Sequence, residues 1–410
     1  MKRQKINLNI PKKKIKIGTG NELEWTIPIK VMSRLTKKAE SVISNIEEES
    51  VTRIKKRIEQ KIDIYLKETD FKKPINGEEF RIELKTNEIP NMKPYNIPIY
   101  RQEQLKKELD RMVKEDVLIP IDANFGSPCF TEKKENGDLR ILNDYRGLNE
   151  ITMKIENYFP SVQDAFHKMI RSKIFSKFDL KKGYYQVAIH PDDMHKTAFV
   201  TPFGKYAYKR IPLGLVNPPK YFHNVIVRIL NDIPNITIFL DDILIFTNTL
   251  DEHEKIIDEI LKRFKEKNII INKEKSKICQ KEITFLGFTI SADKYGPDQS
   301  RLEDFTKWEK PKTRRQLLRL LGKVNWYRQY VPNLSIKLEP FNSKLKGNKR
   351  KVHVTDEEMK IITDIYHYLR DQASLYYPDL NKIFYIETDA SEEGFGGILY
   401  QDKGIVSYLS

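Results

Sequence analysis

The chain has 410 residues, of which 39% are hydrophobic and 10% aromatic, so general disorder is excluded and about two to four folded domains or subdomains are expected. Its formal charge of +15 favours a polyanionic partner such as nucleic acid, although a merely Lys-rich surface stays the alternative. The two cysteines exclude a multi-cysteine zinc site and a disulfide framework, and no apolar run approaches the roughly 20 residues of a membrane span.

Residues 1–76 are highly charged and carry apolar residues at helical spacing between Val42 and Ile58, which predicts a partly helical N-terminal extension. The basic run "PKKKIK" is typical of a solvated tail, with a nuclear-localisation patch as the alternative. Because the N-terminus lacks the apolar core of a signal peptide, we expect an intracellular protein.

A second region begins near residue 77, where a short alternating strand is followed by Pro90, Pro94 and Pro98. The next elements are a helix over 101–118 and a hairpin whose turn is Asn136-Gly137. Further strands are predicted over 175–190 and 198–214, followed by a helix over 218–233.

The stretch "ITIFLDDILIF", residues 236–246, predicts two buried strands joined by a tight turn at Asp241-Asp242. A helix over 250–268, a strand pair over 270–290, a helical region over 299–380 and strand-like alternation over 382–410 complete the pattern. The fold class is therefore α+β rather than a regular βαβ array.

Asp241 and Asp242 alone are typical of a solvated turn, because Asp bonds nearby backbone N–H groups. The flanking apolar runs indicate instead that the turn lies against the body of the protein, where paired anions repel unless a cation holds them. Asp179 ends an earlier strand-like run, and pairing of the two strands would bring three carboxylates together. Such oxygen ligands suit Mg²⁺, and two such ions support in-line phosphoryl transfer of the polymerase type.

Several ordered motifs carry a family resemblance: "FSKFDLKKGYYQVAI", "KTAF", "IPLGLVNPPKYF", "IFLDDILIF", "FLGFTIS" and "LGKVNWYRQYVPN". Upstream, "SPCF" and "KKENGDLRILNDYRGLN" precede them. In this order they resemble the reverse transcriptases of gypsy-type long-terminal-repeat retrotransposons, over residues 78–410. The resemblance outweighs the solvated-turn interpretation of Asp241 and Asp242.

The resemblance implies a right-hand polymerase with fingers, palm and thumb. Asp179 and Asp241 would bind two Mg²⁺ ions, with Mn²⁺ as the alternative, and Asp242 would complete the triad. Lys134 and Arg140 would grip the incoming triphosphate, with Lys133 competing for the role of Lys134 and a solvated surface cation as the alternative for each.

Tyr184 matches the family position whose ring lies under the sugar and clashes with a ribose 2′-OH; a core tyrosine is the alternative. The other implied contacts come from two short loops, each of which an ordinary turn or buried strand pair also explains. The nucleotide loop contains Pro212, Leu213 and Gly214, and the primer-holding hairpin contains Phe285, Leu286 and Gly287.

Three positions depart from the family pattern without removing a metal ligand. Phe239 stands where Tyr is usual, Tyr185 replaces a common His, and Leu213 replaces a commonly aromatic residue. We expect altered efficiency or fidelity rather than abolished chemistry.

The segment "YIETDASEEGFGGILYQ" resembles the first strands of a ribonuclease H domain, with Asp389 at the first metal-binding position. That fold needs further carboxylates from later elements, so we expect no autonomous ribonuclease H activity and no functional site at Asp389. The expected organisation is an extension over 1–76, fingers and palm over 77–298, a helical thumb and connection over 299–381, and a truncated ribonuclease H-like segment over 382–410.

The predicted function is RNA-directed DNA polymerisation within a retrotransposon Pol polyprotein. The expected partners are an RNA–DNA or DNA–DNA primer–template, deoxynucleoside triphosphates and the remaining Pol domains, with no membrane. The expected location is a cytoplasmic virus-like particle, with nuclear entry left open. Two alternatives remain: a catalytically silent fragment that binds primer–template, and a structural subunit of a heterodimeric polymerase.

Overall fold

The computed structural model describes residues 6–9, 14–17, 29–86, 89, 92–133, 139–156, 168–169, 172–303, 305, 308–347, 350–391 and 394–409, with side chains from residue 48 onward except 389–395. The chain divides into two compact units, Met1–Arg57 and Ile58–Ser410. Within the described ranges, no helix is sufficiently long and apolar to cross a membrane.

The first unit contains an antiparallel hairpin and most of a long helix. The hairpin joins β1 (Ile6–Asn9) to β2 (Lys14–Ile17). Helix α1 (Ile29–Lys67) continues into the second unit, and it agrees with the helical spacing in this part of the sequence.

The second unit starts at Ile58, upstream of the predicted limit near residue 77. Several side chains from the end of α1 that lies in the second unit bond to later residues of that unit. For example, the Tyr65 hydroxyl donates to the carbonyl of Ile269, and Lys61 pairs with Glu254 at 2.7 Å. The alternating pattern after residue 79 predicts a longer strand than is found. Here β3 (Glu79–Phe80) has only two residues, because it pairs in parallel with the equally short β8 (Ala188–Ile189).

The first large sheet is five-stranded and lies in the region predicted to form the fingers. Its strands are β4 (Leu118–Pro120), β5 (Ser127–Lys133), β6 (Leu139–Asn143), β9 (Phe199–Thr201) and β10 (Gly204–Tyr208), in the spatial order β4-β10-β9-β5-β6. Helices α2 (Ile99–Lys114), α3 (Arg146–Ile151) and α4 (Pro191–Met194) belong to the same region. The predicted hairpin is confirmed by the antiparallel pairing of β5 with β6, while its Asn136-Gly137 turn lies outside the described residues.

The second sheet has four antiparallel strands and positions the candidate site. These are β7 (Ile174–Phe178), β11 (Ile236–Phe239), β12 (Asp242–Thr247) and β13 (Lys277–Gln280), in the order β11-β12-β7-β13. Helices α5 (Pro218–Leu230) and α6 (Leu250–Lys267) pack on it. Thr249 caps α6 by accepting the N–H of Glu252, which fixes where the chain leaves β12 and turns helical.

A third sheet and four helices follow. The sheet runs β14 (Glu282–Phe285), β15 (Phe288–Ser291), β16 (Lys294–Pro297) and β17 (Leu375–Tyr376). The helices are α7 (Gln299–Leu302), α8 (Arg314–Asn325), α9 (Leu334–Ser343) and α10 (Asp356–Asp371). One buried apolar cluster joins these elements to β7 and β12 through side chains such as Phe175, Phe246, Leu317 and Ile365.

The last sheet contains β18 (Tyr385–Ser391), β19 (Gly394–Gln401) and β20 (Gly404–Leu409), all antiparallel. It agrees with the strand-like alternation of residues 382–410. The predicted mixture of helix and sheet is therefore confirmed along the second unit.

Candidate active site

The structure brings the three predicted carboxylates to one end of the second sheet. Strand β7 ends at Phe178, which pairs with Ile243, so Asp179 and Asp242 occupy the next positions on neighbouring strands. Asp241 lies in the turn before β12. This turn consists of Leu240 and Asp241, because Asp242 already pairs with Phe239; the predicted Asp241-Asp242 turn is wrong by one residue. Leu240 has a φ of 56°, a conformation that sequence patterns seldom assign to leucine.

The electrostatics of these carboxylates indicate an excess of negative charge. Burial raises the pKa of Asp241, and the neighbouring Asp242 raises it further. Burial also raises the pKa of Asp179, where Asp241 and Asp242 act in the same direction and Lys275 opposes them. Partly buried, mutually repelling carboxylates favour a bound cation.

The chemistry of this donor set fits a divalent metal. Among the residues that the structure describes, no three His, Cys, Asp or Glu side chains are grouped closely enough to hold an ion. Asp242 is instead paired with Lys177, whose Nζ donates to Oδ2 at 2.8 Å. Carboxylate oxygens are the ligands that Mg²⁺ prefers, so Asp179, Asp241 and Asp242 would hold it.

The loop after Asp179 brings Tyr184 close to the three carboxylates. A Cβ added to Gly183 would lie 3.1 Å from the ring of Phe222 and 3.8 Å from Cβ of Asp241, so only glycine fits comfortably here. The ring of Tyr184 packs edge-on against Phe222, with 5.6 Å between centroids. Burial, with a contribution from Asp241, raises the pKa of Tyr184 to about 12, which keeps its hydroxyl protonated at neutral pH.

The predicted triphosphate-gripping residues lie on the β5–β6 hairpin. Arg140 and Lys133 are exposed near its tip, where Lys133 pairs with Leu139, and Lys134 lies outside the described residues. The guanidinium of Arg140 is close enough to lower the pKa of Tyr185, against the dominant effect of burial. Tyr185 stacks on Tyr208 with centroids 6.3 Å apart, so an aromatic ring fills the place of the usual histidine.

The nucleotide loop, Pro212 to Gly214, packs against the β6–α3 connection. Gly214 has a φ of 100°, and an added Cβ would lie 3.2 Å from the carbonyl oxygen of Asn143, so glycine is required on both counts. Asn149 fixes the loop by donating to the Gly214 carbonyl at 2.8 Å. Leu213 is exposed and Pro212 is buried.

The predicted primer-holding hairpin is formed by β14 and β15. Leu286 and Gly287 make its two-residue turn with φ values of 52° and 84°, as expected for a type I′ turn. Phe285 and Phe288 are buried beneath it. Asp389, the predicted ribonuclease H residue, lies in β18 opposite Gly396, and its side chain is outside the described residues.

Sequence reasoning missed a cavity of about 390 Å³ beside the nucleotide loop. Exposed aromatic rings of Tyr95 and Phe130 border it, together with Arg146. The buried Oδ1 of Asn143, which has no hydrogen-bond partner within the described ranges, also lines it. No spacing signal marks these residues, because they come together only in the fold.

Sequence reasoning also missed the exposed face of α8. The apolar residues of this helix recur at helical spacing and are buried, as Leu317, Leu320, Leu321 and Val324. The opposite face exposes Arg315, Arg319 and Lys323, with Trp326 54% exposed just beyond the helix. Gly322 lies on this face, and an added Cβ would meet no atom of the described residues outside the helix's own backbone within 4 Å. The sequence signal that could have indicated this face is a glycine in the interior of a predicted helix, a position where glycine is usually unfavourable.

A carboxylate-bearing sheet, a five-stranded sheet and a following helical region are the parts expected of a right-hand polymerase fold. Residues 131–290 match the family model "Reverse transcriptase (RNA-dependent DNA polymerase)", and residues 344–410 match "RNase H-like domain found in reverse transcriptase". These two stretches are therefore similar to a reverse transcriptase domain and, further along the chain, to an RNase H-like domain. The second match begins upstream of the predicted limit at residue 382.

Similar proteins of known sequence are transposon polyproteins. The chain is 31% identical over 332 residues to the transposon Tf2-3 polyprotein of Schizosaccharomyces pombe and 30% identical to Tf2-7, covering 80% of this chain. It spans 25% of the length of these polyproteins.

Among solved structures, the chain resembles the foamy viral protease-reverse transcriptase. One structure, in complex with double-stranded DNA, has a TM-score of 0.77 at 23% identity, covering 96% of this chain and 69% of that one. Another, in complex with an RNA/DNA hybrid, has a TM-score of 0.74, covering 98% and 54%. This likeness confirms the right-hand polymerase fold.

Proposed function

We propose that this chain is an RNA-directed DNA polymerase that extends a primer on an RNA or DNA template, as part of a gypsy-type retrotransposon Pol polyprotein. The observation that carries the proposal is the arrangement of Asp179, Asp241 and Asp242 at the end of two paired strands, inside the region that matches the reverse transcriptase family.

Two Mg²⁺ ions, with Mn²⁺ as a substitute, would activate the primer hydroxyl and stabilise the leaving pyrophosphate when bound. Asp179 and Asp241 would hold them. The excess negative charge of the three carboxylates, evident in the raised pKa values of Asp179 and Asp241, supports this assignment. Asp242 would join them on leaving Lys177.

The neighbouring residues would orient the deoxynucleoside triphosphate. Tyr184, on the rigid ring of Phe222, would exclude a ribose 2′-OH, and the loop Pro212–Gly214 would pack on the nucleotide. Arg140, with Lys133 or Lys134, would contact the phosphates. Arg supplies a forked donor and Lys a point charge for this purpose.

The primer–template would contact the exposed face of α8 and the aromatic cavity beside Asn143. Three cations on one helix face suit the phosphates of a duplex, and the bare backbone at Gly322 allows close approach. Tyr95 and Phe130 offer rings on which bases can stack. The hairpin at Phe285–Gly287 would support the primer end.

The deciding experiment is primer extension on an oligonucleotide-primed RNA template with Mg²⁺, comparing the parent chain with Asp241→Asn. We expect extension by the parent and a loss of roughly 10³-fold or more in the variant, because a metal ligand is removed. Activity of both would refute the carboxylate assignment. Silence of both, with hybrid binding intact, would favour the silent primer–template-binding alternative, and stimulation of a longer partner would favour the structural subunit.

A further inference from the structure

Gln186 is a buried amide that follows Tyr184 by two residues, with only 2% of its surface exposed. Its Nε2 donates to the carbonyl of Lys181 at 2.8 Å and to that of Ile270 at 2.9 Å. Its Oε1 accepts the backbone N–H of Ile270 at 2.7 Å. Both amide donors and one acceptor position are therefore used on backbone groups.

These bonds extend a short backbone ladder. The N–H of Asn272 donates to the carbonyl of Asp179 at 2.8 Å, and that of Lys181 donates to Ile270 at 2.9 Å. Leu180 and Ile271 form an antiparallel bridge between these bonds. The side-chain amide of Gln186 then bonds both backbone groups of Ile270, as a peptide group of a paired strand does.

The loop closed in this way needs such support. Lys182 has a φ of 49°, and a left-handed conformation is unfavourable at a residue other than glycine. A Cβ added to Gly183 would lie 3.1 Å from the Phe222 ring, so the loop packs closely here and a small shift of it changes where Tyr184 packs. The backbone carbonyl of Gln186 also accepts the N–H of Ile75 at 2.7 Å, which holds the end of the loop from the other side.

We propose that Gln186 is a positioning residue of the nucleotide site: its amide locks the loop between Asp179 and Tyr184 against residues 269–272, and so sets the height of the Tyr184 ring above the carboxylates. The proposal deepens the proposed function and rests on it for the catalytic consequence. The locking itself is a property of the folded chain.

The test compares Gln186→Met, which keeps the side-chain length without the amide, with Gln186→Glu, which keeps the acceptor for Ile270 and loses the donors. The matched control is Gln401→Met. Gln401 is also a buried amide, bonding the N–H and the carbonyl of Asp379 at 2.9 Å each, but it lies in β19. Gln186→Met and Gln401→Met each remove a similar set of hydrogen bonds, so both should lower the general stability of the fold, but only Gln186→Met should affect the loop.

The first readout is hydrogen–deuterium exchange of peptides covering residues 179–186 in the metal-free chains. We expect exchange to be at least about tenfold faster in Gln186→Met and unchanged in Gln401→Met, because only the former frees the loop. Gln186→Glu should lie between them, and it replaces Gln186→Met if that variant does not fold. Unchanged exchange in both Gln186 variants would overturn the proposal.

The second readout is nucleotide selection in primer extension. We expect Gln186→Met to raise the KM for deoxynucleotides about tenfold and to reduce discrimination against ribonucleotides by a similar factor, with primer–template affinity unchanged. Lower melting temperature with unchanged KM and discrimination would mean a merely structural role and would overturn the positioning assignment. A silent parent chain with the expected exchange pattern would refute the proposed function while supporting the lock at Gln186.

Discussion

Lys177 donates to Asp242 across neighbouring strands, with 2.8 Å between Nζ and Oδ2. The pair neutralises one of the three carboxylates, while burial and mutual repulsion raise the pKa of the other two. Asp242 is therefore paired with a cation of the protein, whereas burial and mutual repulsion disfavour the negative charge of Asp179 and Asp241.

The charge at Asp241 should cost stability in the absence of metal. A carboxyl whose pKa is raised by folding has its ionised form disfavoured in the native state, so at pH 7 the neutral isostere stabilises the fold. We expect Asp241→Asn and Asp179→Asn each to raise the melting temperature in EDTA by about 1–3 °C. The control, Asp122→Asn, changes an exposed aspartate outside the site and should have no such effect. A lowered melting temperature in both site variants would contradict the charge argument.

Lys177→Met should make the stability of the fold depend more strongly on a bound cation. The substitution leaves the three carboxylates without the Lys177 ammonium group. We therefore expect a lower melting temperature in EDTA, corresponding to a loss of about 0.5–1 kcal/mol in the free energy of unfolding for this partly exposed pair. The rise on adding Mg²⁺ should be larger than in the parent, because ion binding to the native state adds stability. Lys262→Met, at an exposed position of α6, is the control. A Mg²⁺-induced rise no larger than the parent's would show that Lys177 does not compete with the metal.

The strands that carry the site could be predicted because their signals are local. Runs of Ile, Leu and Phe bounded by polar residues mark β7, β11 and β12. The error of one residue at the turn arises because Leu240, and not a residue with turn chemistry, adopts the positive φ. Pairing of β7 with β12 links residues distant in sequence, so the residues alone predicted the carboxylate cluster only on the condition that these strands pair, and the family resemblance supplied that condition.

The supporting residues could not be predicted, for a related reason. Lys177 in isolation is an ordinary strand lysine, and only the register of β7 against β12 brings it to Asp242. The amide of Gln186 gains its role from residues 269–272, over 80 positions away, whose backbone it bonds. Periodicity assigns such side chains to a buried or exposed face, but it does not identify their partners.

A buried histidine below the site should make stability depend on pH. His253 is fully buried, and its ring nitrogens lie 2.7 Å from Ser176 Oγ and 2.9 Å from Thr247 Oγ1. Burial lowers the pKa of His253 to about 4, against about 6.5 when unfolded. Between these values the unfolded chain binds the extra proton, so stability falls as the pH falls from 6.5 to 4, by on the order of 3 kcal/mol.

The measurement is the free energy of unfolding of the parent and of His253→Gln between pH 7 and pH 4.5. We expect a shallower decline in the variant, although it is less stable at pH 7. His353→Gln removes an exposed histidine and should keep the parent's slope. Carboxylates also titrate on acidification, but they are the same in all three proteins, so a change found only in His253→Gln is due to His253. Equal slopes in the parent and His253→Gln would contradict the assignment.

Substitution of Gly322 should change the stability of the fold and the affinity for nucleic acid in opposite directions. An added Cβ at Gly322 has room in the part of the chain that the structure describes, and alanine in a helix interior is favoured over glycine by about 0.5–1 kcal/mol, so Gly322→Ala should stabilise the fold. If a duplex approaches this face, the same methyl group should weaken primer–template binding about fivefold by holding the backbone away. Arg319→Gln is the companion variant: it should reduce the salt dependence of binding by about one charge, whereas Gly322→Ala should leave it unchanged. Fluorescence anisotropy across a salt series measures both, and unaltered affinity in Gly322→Ala would exclude close contact at this face.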